Sequence, residues 1–378
     1  MKNIVIAGYA RSPFDFARKG LLAKVRPDDM AAQVIDVLIG RSNINPDDIE
    51  DVIVGCAFPE GEQGFNVARI IEFIAGIPIS AGATTVNRFC GSSMQAIHMA
   101  AGSISLGAGE LFVCAGVESM SRVPMGGYNP APNPQLHARF PEVYIDMGTT
   151  AENLASEYGI SRSEQQDLAI ESHAKADAAR DEGKLQDELV PIIQEDETFT
   201  CDGCIRPDTS KEALDNLMPA FDAAGTVTAG TSSPLTDGAA AVLVCSESYA
   251  DDHGVEKLAR VKSTAIAGCR PEVMGIGPVD ASQKALQRAG LEMDDIDVIE
   301  LNEAFAAQAL AVARQSGMKQ KKINLDGGAI ALGHPLGATG ARITGKAASL
   351  LRRESKQYAL ATQCIGGGQG IATVLEAI

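Results

Sequence analysis

Thr84-Thr85-Val86-Asn87-Arg88-Phe89-Cys90-Gly91-Ser92-Ser93-Met94-Gln95-Ala96 reads as a strand, a sharp turn at Cys90-Gly91 and a helix running to about Leu106. A thiol at a helix N-terminus feels the positive end of the helix dipole, which favours thiolate and predicts a lowered pKa. A packed, inert thiol is the ordinary reading for the other cysteines; the strand–turn–helix context makes Cys90 the candidate nucleophile. His334 lies in Gly327-Gly328-Ala329-Ile330-Ala331-Leu332-Gly333-His334-Pro335-Leu336-Gly337, where missing side-chain bulk lets a ligand or another segment approach. It is a candidate general base, and none of His98, His137, His173 and His253 sits in such a loop. Cys364-Ile365-Gly366-Gly367-Gly368-Gln369-Gly370 follows a buried strand and sets a thiol beside unobstructed main-chain N–H groups able to hold an oxyanion. Taken alone, a glycine turn before a strand explains that segment equally well. Leu301-Asn302-Glu303-Ala304-Phe305 ends a strand and opens a helix, so capping and catalysis are both open for Asn302.

Two further patterns mimic known sites. Gly340-Ala341-Arg342-Ile343-Thr344-Gly345-Lys346 has P-loop spacing, but Ala347 stands where a Ser or Thr would bind magnesium, and no strand immediately precedes it. Cys201-Asp202-Gly203-Cys204 has CxxC spacing without a second cysteine pair or a nearby histidine, so no metal site is expected.

The elements that must position these groups show an internal duplication. Asp28 to Ile53 reads as an amphipathic helix (Met30, Val34, Val37, Leu38), a polar turn and an entering strand; Asp280 to Ile299 repeats the pattern, with its helix (Ala285, Leu286, Ala289) ending at Gly290. Asp237 to Val244 likewise resembles Gln369 to Glu376, each a glycine turn followed by an apolar strand. The continuously apolar strands Leu111–Ala115 and Tyr358–Thr362 alternate with helical patterns, which predicts α/β halves whose sheets are covered on both faces. Residues 121–219 differ in character, with prolines at 124, 130, 132, 134 and 141 and a polar helical region over 151–186, and read as an insertion. The expected partition is 1–120 plus 220–248 for the first half, 121–219 for a loop domain and 249–378 for the second half.

With 32 Lys and Arg against 49 Asp and Glu, the net charge of −17 is wrong for a protein that neutralises many phosphates, so a nucleic-acid partner is not expected. No stretch approaches the roughly eighteen apolar residues of a membrane span, and no secretory or transit signal is legible. The eight cysteines are mostly isolated in apolar or glycine-rich stretches, as reduced thiols are, and the expected location is the cytoplasm.

Taken in order, Cys90-Gly91-Ser92-Ser93, Asn302-Glu303-Ala304-Phe305, Gly333-His334-Pro335 and Cys364-Ile365-Gly366-Gly367-Gly368 strongly resemble the thiolases, and the resemblance covers essentially the whole chain. It implies two similar halves stacked as five α/β/α/β/α layers, with a loop domain inserted in the first. It also implies a ping-pong acyltransferase that cleaves 3-ketoacyl-CoA with CoA to acetyl-CoA and a shortened acyl-CoA; acetoacetyl-CoA synthesis by the same residues is the alternative, and a non-catalytic scaffold or lipid-carrier subunit the alternative of another class. In this scheme Cys90 is acylated, His334 takes its proton, Cys364 is the acid/base of the carbon–carbon step, and Asn302 holds a water. The N–H groups of Cys90 and Gly366 receive the oxyanion. For CoA, the resemblance implies Arg206 near the nucleotide, Leu214, Phe221 and Ala229 bordering adenine or pantetheine, Ser233 on the pantetheine amide, and Met147, Met274 and Phe305 at the acyl end. CoA is a substrate, so neither cofactor nor metal is expected. The same resemblance implies a homodimer or homotetramer and admits a partner from a fatty-acid oxidation complex. Asp146, where biosynthetic relatives usually carry His before Met-Gly-Thr-Thr-Ala-Glu-Asn, leans toward degradation.

Overall fold

The computed structural model describes residues 2–378. The chain begins with β1 (Ile4–Arg11), β2 (Asp15–Phe16), α1 (Pro27–Arg41), β3 (Asp51–Gly55), α2 (Val67–Ile74), β4 (Gly82–Val86), α3 (Ser92–Leu106) and β5 (Leu111–Ser119). Next come α4 (Pro134–Arg139), α5 (Met147–Glu157), α6 (Arg162–Asp181), the hairpin β6 (Ile192–Gln194) and β7 (Glu197–Phe199), α7 (Lys211–Asp215), β8 (Thr236–Ser246) and α8 (Glu247–His253). The remainder is β9 (Ala259–Gly268), α9 (Gly277–Ala289), β10 (Val298–Leu301), α10 (Ala306–Gln315), α11 (Ala329–Leu332), α12 (Leu336–Arg353), β11 (Tyr358–Ile365) and β12 (Gln369–Glu376).

Strand order makes the duplication concrete. The first half runs β4-β3-β5-β8-β1, with β8 antiparallel to both neighbours and β3 parallel to both of its own. The second runs β10-β11-β12-β9, with β12 antiparallel to both neighbours. Outside β10, a single parallel bridge, Ile299 to Ile323, occupies the place that β4 holds in the first half. Asn324 closes that edge: its N–H donates to the Ile299 carbonyl, its Nδ2 donates to the Leu301 carbonyl, and its Oδ1 accepts from the Leu301 N–H. The segments that resemble each other in sequence thus occupy equivalent places, α1–β3 with α9–β10 and β8 with β12. The two ladders meet through only two pairs, Val5 with Arg260 and Ile6 with Ala259.

Burial sorts the helices into layers. Val34, Ile35 and Leu38 of α1 and Ile71 of α2 pack on Val52, Val54, Val113 and Leu243 of the first sheet. On the far side of the second sheet, Ala281 and Ala285 of α9 and Val312 of α10 pack on Leu360, Ala372 and Val374. Between the sheets lie α3 and α12, whose Met94, Ile97, Ile104, Ile343 and Leu350 meet Ile53, Phe112 and Val242 on one side and Val298, Ala361 and Ile365 on the other. A fully buried side chain of this size contributes about 1.5–3 kcal/mol, so a helical layer apolar on both faces is the main adhesive between halves. The five-layer order expected of the sequence is the one observed.

Within the central layer the helices touch backbone to backbone. A Cβ on Gly340 of α12 would collide with the Met94 main-chain N of α3, and one on Gly116 of β5 with the Gly337 carbonyl. The Ala341 N–H donates to Ser93 Oγ at 2.8 Å, tying the first turns of the two helices.

The segment between β5 and β8 is held by buried charge. Arg11, fully buried on β1, donates Nε to Glu188 at 2.8 Å and its two terminal nitrogens to Asp202 at 2.6 and 2.8 Å. Lys346 Nζ lies 2.8 Å from Glu188 and 2.6 Å from Asp326. The lysine of the P-loop-like stretch is therefore consumed inside α12 as a structural cation and faces no nucleotide site. Removing one member of such a set strands the others and costs about 3–5 kcal/mol.

A methyl at position 340 tests the close approach. Alanine would gain about 1 kcal/mol of helix propensity, but its partner is main chain that cannot rotate away, and overpacking of this kind costs about 1–3 kcal/mol. Gly340→Ala is expected to lower the urea unfolding midpoint; an unchanged or raised midpoint would show that α3 and α12 part without cost.

Candidate active site

The nucleophile turn is formed as the sequence suggests. β4 ends at Val86, Phe89 takes a positive φ of 42°, and α3 begins at Ser92. Ser92 Oγ accepts from the Arg88 N–H and donates to the Phe89 carbonyl, stabilising the tight turn. Gly91 packs on Ile365, which directly follows Cys364. The pKa expectation is corrected: burial pushes the Cys90 thiol up to about 12, although the N–H groups of Gly366 and of Cys90 itself pull the other way. A buried sulfur loses water's stabilisation of thiolate, and that loss outweighs the helix N-terminus. Cys90 is thus a neutral thiol at rest.

His334, the expected general base, is likewise out of water. It is buried at the start of α12, with its N–H donating to Thr236 Oγ1 at 3.0 Å. Burial, reinforced by Arg342, lowers its pKa to about 3, so the ring is neutral through the physiological range. Its tautomer follows from two neighbours. Thr339 Oγ1 donates to the Pro335 carbonyl at 3.0 Å and lies 2.6 Å from His334 Nδ1, so the hydroxyl oxygen accepts from Nδ1–H. The Nε2 lone pair then faces the Asn302 amide, with Asn302 Nδ2 at 3.4 Å. Asn302 does not cap α10, which starts at Ala306 with Phe305 as its N-cap residue. Its Oδ1 is buried without a protein partner, free to accept from a water or a substrate N–H.

Cys364 lies within β11 rather than after it, because the strand runs on to Ile365. Alternation puts Ala361 and Ile365 on the central-layer face and Cys364 on the opposite one, among Ala304, Phe305, Met274 and Met147. Burial, then the nearby Cys90, pushes its pKa well up, so it too is protonated at rest. Gly367 and Gly368 take positive φ values of 78° and 84°, which turn the chain sharply after the Gly366 N–H.

The residues expected at the acyl end therefore gather around Cys364. Phe221 meets Phe305 edge to face, with ring centroids 5.8 Å apart. Ser233 donates both its N–H and its hydroxyl to the Ala304 carbonyl, each at 3.0 Å, which leaves the hydroxyl oxygen able to accept. Ala229 is exposed and starts a short turn, whereas Leu214 is buried beneath Gly230 and packs in the core. Arg206 is exposed, its guanidinium 5.1 Å from the Phe16 ring centroid and its N–H donating to His173 Nδ1 at 3.1 Å. His173 is thereby accounted for structurally. In the CxxC stretch, Cys201 is exposed and Cys204 buried, both free thiols, and among the described residues no group of three or more His, Cys, Asp and Glu could hold a metal ion.

Sequence reasoning missed Glu118. This buried carboxylate accepts from the N–H groups of Ala57 at 2.8 Å, Phe58 at 3.2 Å and Gly337 at 2.9 Å, and from Gln63 Nε2 at 2.9 Å. It ties the end of β5 to the loop after β3 and to the start of the helix behind His334. Burial raises its pKa, while these four donors work to keep it ionised. Thr339 and Thr236 were also missed, since a hydroxyl five residues after a histidine, or across a sheet, leaves no local mark.

Models of the thiolase N-terminal and C-terminal domains match residues 4–248 and 255–377. The chain belongs to the thiolase family. Among curated relatives, this thiolase is 46% identical over 389 aligned residues to the 3-ketoacyl-CoA thiolase of Bacillus subtilis (strain 168), and 49% identical over 387 to that of Vibrio vulnificus (strain CMCP6), each match covering all of both chains. Among solved structures it is similar to human mitochondrial 3-ketoacyl-CoA thiolase, with a TM-score of 0.92, and to the Bacillus anthracis acetyl-CoA acetyltransferase, with a TM-score of 0.93. Each of these is 37% identical, the match covering 100% of this chain and 99% of the other.

The tautomer assignment is testable. Thr339→Val removes the acceptor for Nδ1–H and is expected to slow alkylation of Cys90 by iodoacetamide roughly 10–100-fold, the usual scale for a histidine's supporting partner, whereas Thr339→Ser stays near wild type. Equal rates for all three proteins would sink the assignment.

Proposed function

We propose that the chain is a 3-ketoacyl-CoA thiolase that cleaves its substrate with CoA through an acyl-cysteine at Cys90. The observation that carries this reading is one neutral imidazole whose Nε2 lone pair faces the Asn302 amide, a neutral thiol under the Gly366 N–H, and a second buried thiol beside it. His334 takes the Cys90 proton and the sulfur attacks the keto carbon, whose oxygen is received by the N–H groups of Cys90 and Gly366. The bond to the α-carbon breaks, and Cys364 protonates the departing carbon to give acetyl-CoA. Until that proton arrives, the enolate oxygen rests on His334 and a water held by Asn302. CoA then gives its thiol proton to Cys364 and attacks the acyl group; Cys90 leaves as thiolate and recovers its proton from His334. Each side chain ends in the protonation state it began in, the proton that Cys364 gives to acetyl-CoA being replaced by that of the CoA thiol, and the cycle requires no cofactor.

Arg206, Ala229 and Ser233 would run along CoA from nucleotide to pantetheine, with Phe221 and Phe305 beside the acyl end. Leu214 would act from beneath, by supporting the 229–233 turn. The 121–219 insertion would carry much of this face on the body formed by the two halves. The acetoacetyl-forming direction draws support from the likeness to an acetyl-CoA acetyltransferase, and Asp146, which N-caps α5 through the Thr149 N–H, favours cleavage. Packing alone does not require the set of Cys90, Asn302, His334 and Cys364, which argues against an inert scaffold. Association through the open edge of β4 fits the exposed Ile79, Phe73 and Ile70 nearby and would give a homodimer or, by further pairing, a homotetramer. Among the described residues no helix is long and apolar enough to cross a membrane; a cytoplasmic enzyme serving fatty-acid oxidation is the setting this reading implies.

Initial rates of CoA-dependent thiolysis with acetoacetyl-CoA and a longer 3-ketoacyl-CoA test the proposal. Wild type is expected to turn over and Cys90→Ala to lose at least about 1000-fold, with the chain-length ratio separating the two directions. A folded wild type inactive on both substrates would favour the scaffold.

A further inference from the structure

Gln363 is out of place in its surroundings. The face of β11 that carries it is otherwise apolar, with Ala359, Ala361 and Ile365 packed against the central helices. Gln363 is fully buried there, and its Nε2 donates to the Cys90 carbonyl at 2.6 Å, while its Oε1 has no protein partner. Burying an amide in an apolar layer is costly when its bonds are incomplete, so a leucine would serve packing better. The contact joins the halves at the nucleophile, because Cys90 belongs to the turn before α3 and Gln363 to a strand of the second sheet. Its neighbour in sequence is Cys364, which points to the opposite face. One strand therefore grips the nucleophile's main chain with one residue and offers the second thiol with the next.

We propose that Gln363 is a positioning residue that holds the Cys90 carbonyl so that the Cys90 sulfur sits under the Gly366 N–H and within reach of Cys364. The proposal rests on the reading of Cys90 as nucleophile. The turn needs such a grip: Phe89 is held at positive φ, which for a bulky residue is strained. The Cys90 carbonyl faces a fixed side-chain donor from the other half. On the same turn Arg88 donates Nη1 to Gln369 Oε1 at 2.7 Å, so two cross-half bonds flank the nucleophile and only that of Gln363 reaches its own peptide group.

Two substitutions in the full-length enzyme separate positioning from packing. Gln363→Met keeps the volume and removes the donor; Gln363→Asn keeps the donor and shortens its reach. Misplacing a reacting group by about an ångström costs on the order of 100-fold, so kcat for thiolysis and the rate of Cys90 alkylation by iodoacetamide are both expected to fall 10–100-fold. KM for CoA and the thermal midpoint are expected to stay near wild type. Should the methionine variant fail to fold, the asparagine variant decides on the same two rates. Wild-type alkylation and kcat in a folded variant would overturn the proposal, as would a loss confined to KM. Alkylation of Cys90 reports on the turn without any turnover, so an inactive wild type would count against the thiolase reading while leaving this comparison intact.

Discussion

The site depends on two helices touching main chain to main chain. Because Gly340 lacks a side chain, the first turn of α12 can lie directly on the first turn of α3, and Ser93 and Ala341 bond across the contact. His334 and Cys90 each lie two residues before one of these helices. Each helix belongs to a different half of the duplication, so the distance between base and nucleophile is set by how closely the halves dock. Everything that braces the contact, from the Glu118 carboxylate to the apolar faces of both sheets, defends a separation that chemistry needs to within a fraction of an ångström.

Burial gives the site its resting charge state. Two neighbouring thiols and a buried imidazole, each out of water, all remain neutral. A helix N-terminus contributes a partial positive charge, but losing hydration of a full anion is the larger effect. In the proposed cycle, charge appears only when substrate brings the oxyanion and the enolate that the N–H groups, the imidazole and the Asn302 amide would receive. Reacting groups that carry no standing charge avoid trapping a premature ion and leave the polar groups around them for the transition state.

Much of this was legible in the residues. The duplication, the layers and the four motifs rest on local patterns, an amphipathic helix before a strand or a glycine turn beside a thiol, and the structure puts those elements where the patterns imply. What stayed hidden is carried by partners distant in sequence. The pKa of Cys90 could not be read from its turn, because the burial that decides it comes from packing against Leu336, Met120 and Ala57. Asn302 was ambiguous until Ala306 proved to start the helix. Thr339, Thr236 and Glu118 act through hydrogen bonds to groups 5, 98 and up to 219 residues away, and nothing local distinguishes such a residue from an ordinary polar one.

The two ends of the continuous ladder differ. At one end the outer edge of β4 has no strand partner among the described residues, and only its Ala83 carbonyl is taken up, by the Asn66 amide; at the other, the bridge to Ile323 and the Asn324 amide satisfy the outer edge of β10. A faithful duplication would have given the molecule two adhesive edges, and subunits with two can concatenate into an open fibre. Blunting one copy's third strand leaves a single adhesive edge. A sheet with one open edge can add one neighbour by strand pairing and no more, so a blunted third strand caps how far it can polymerise.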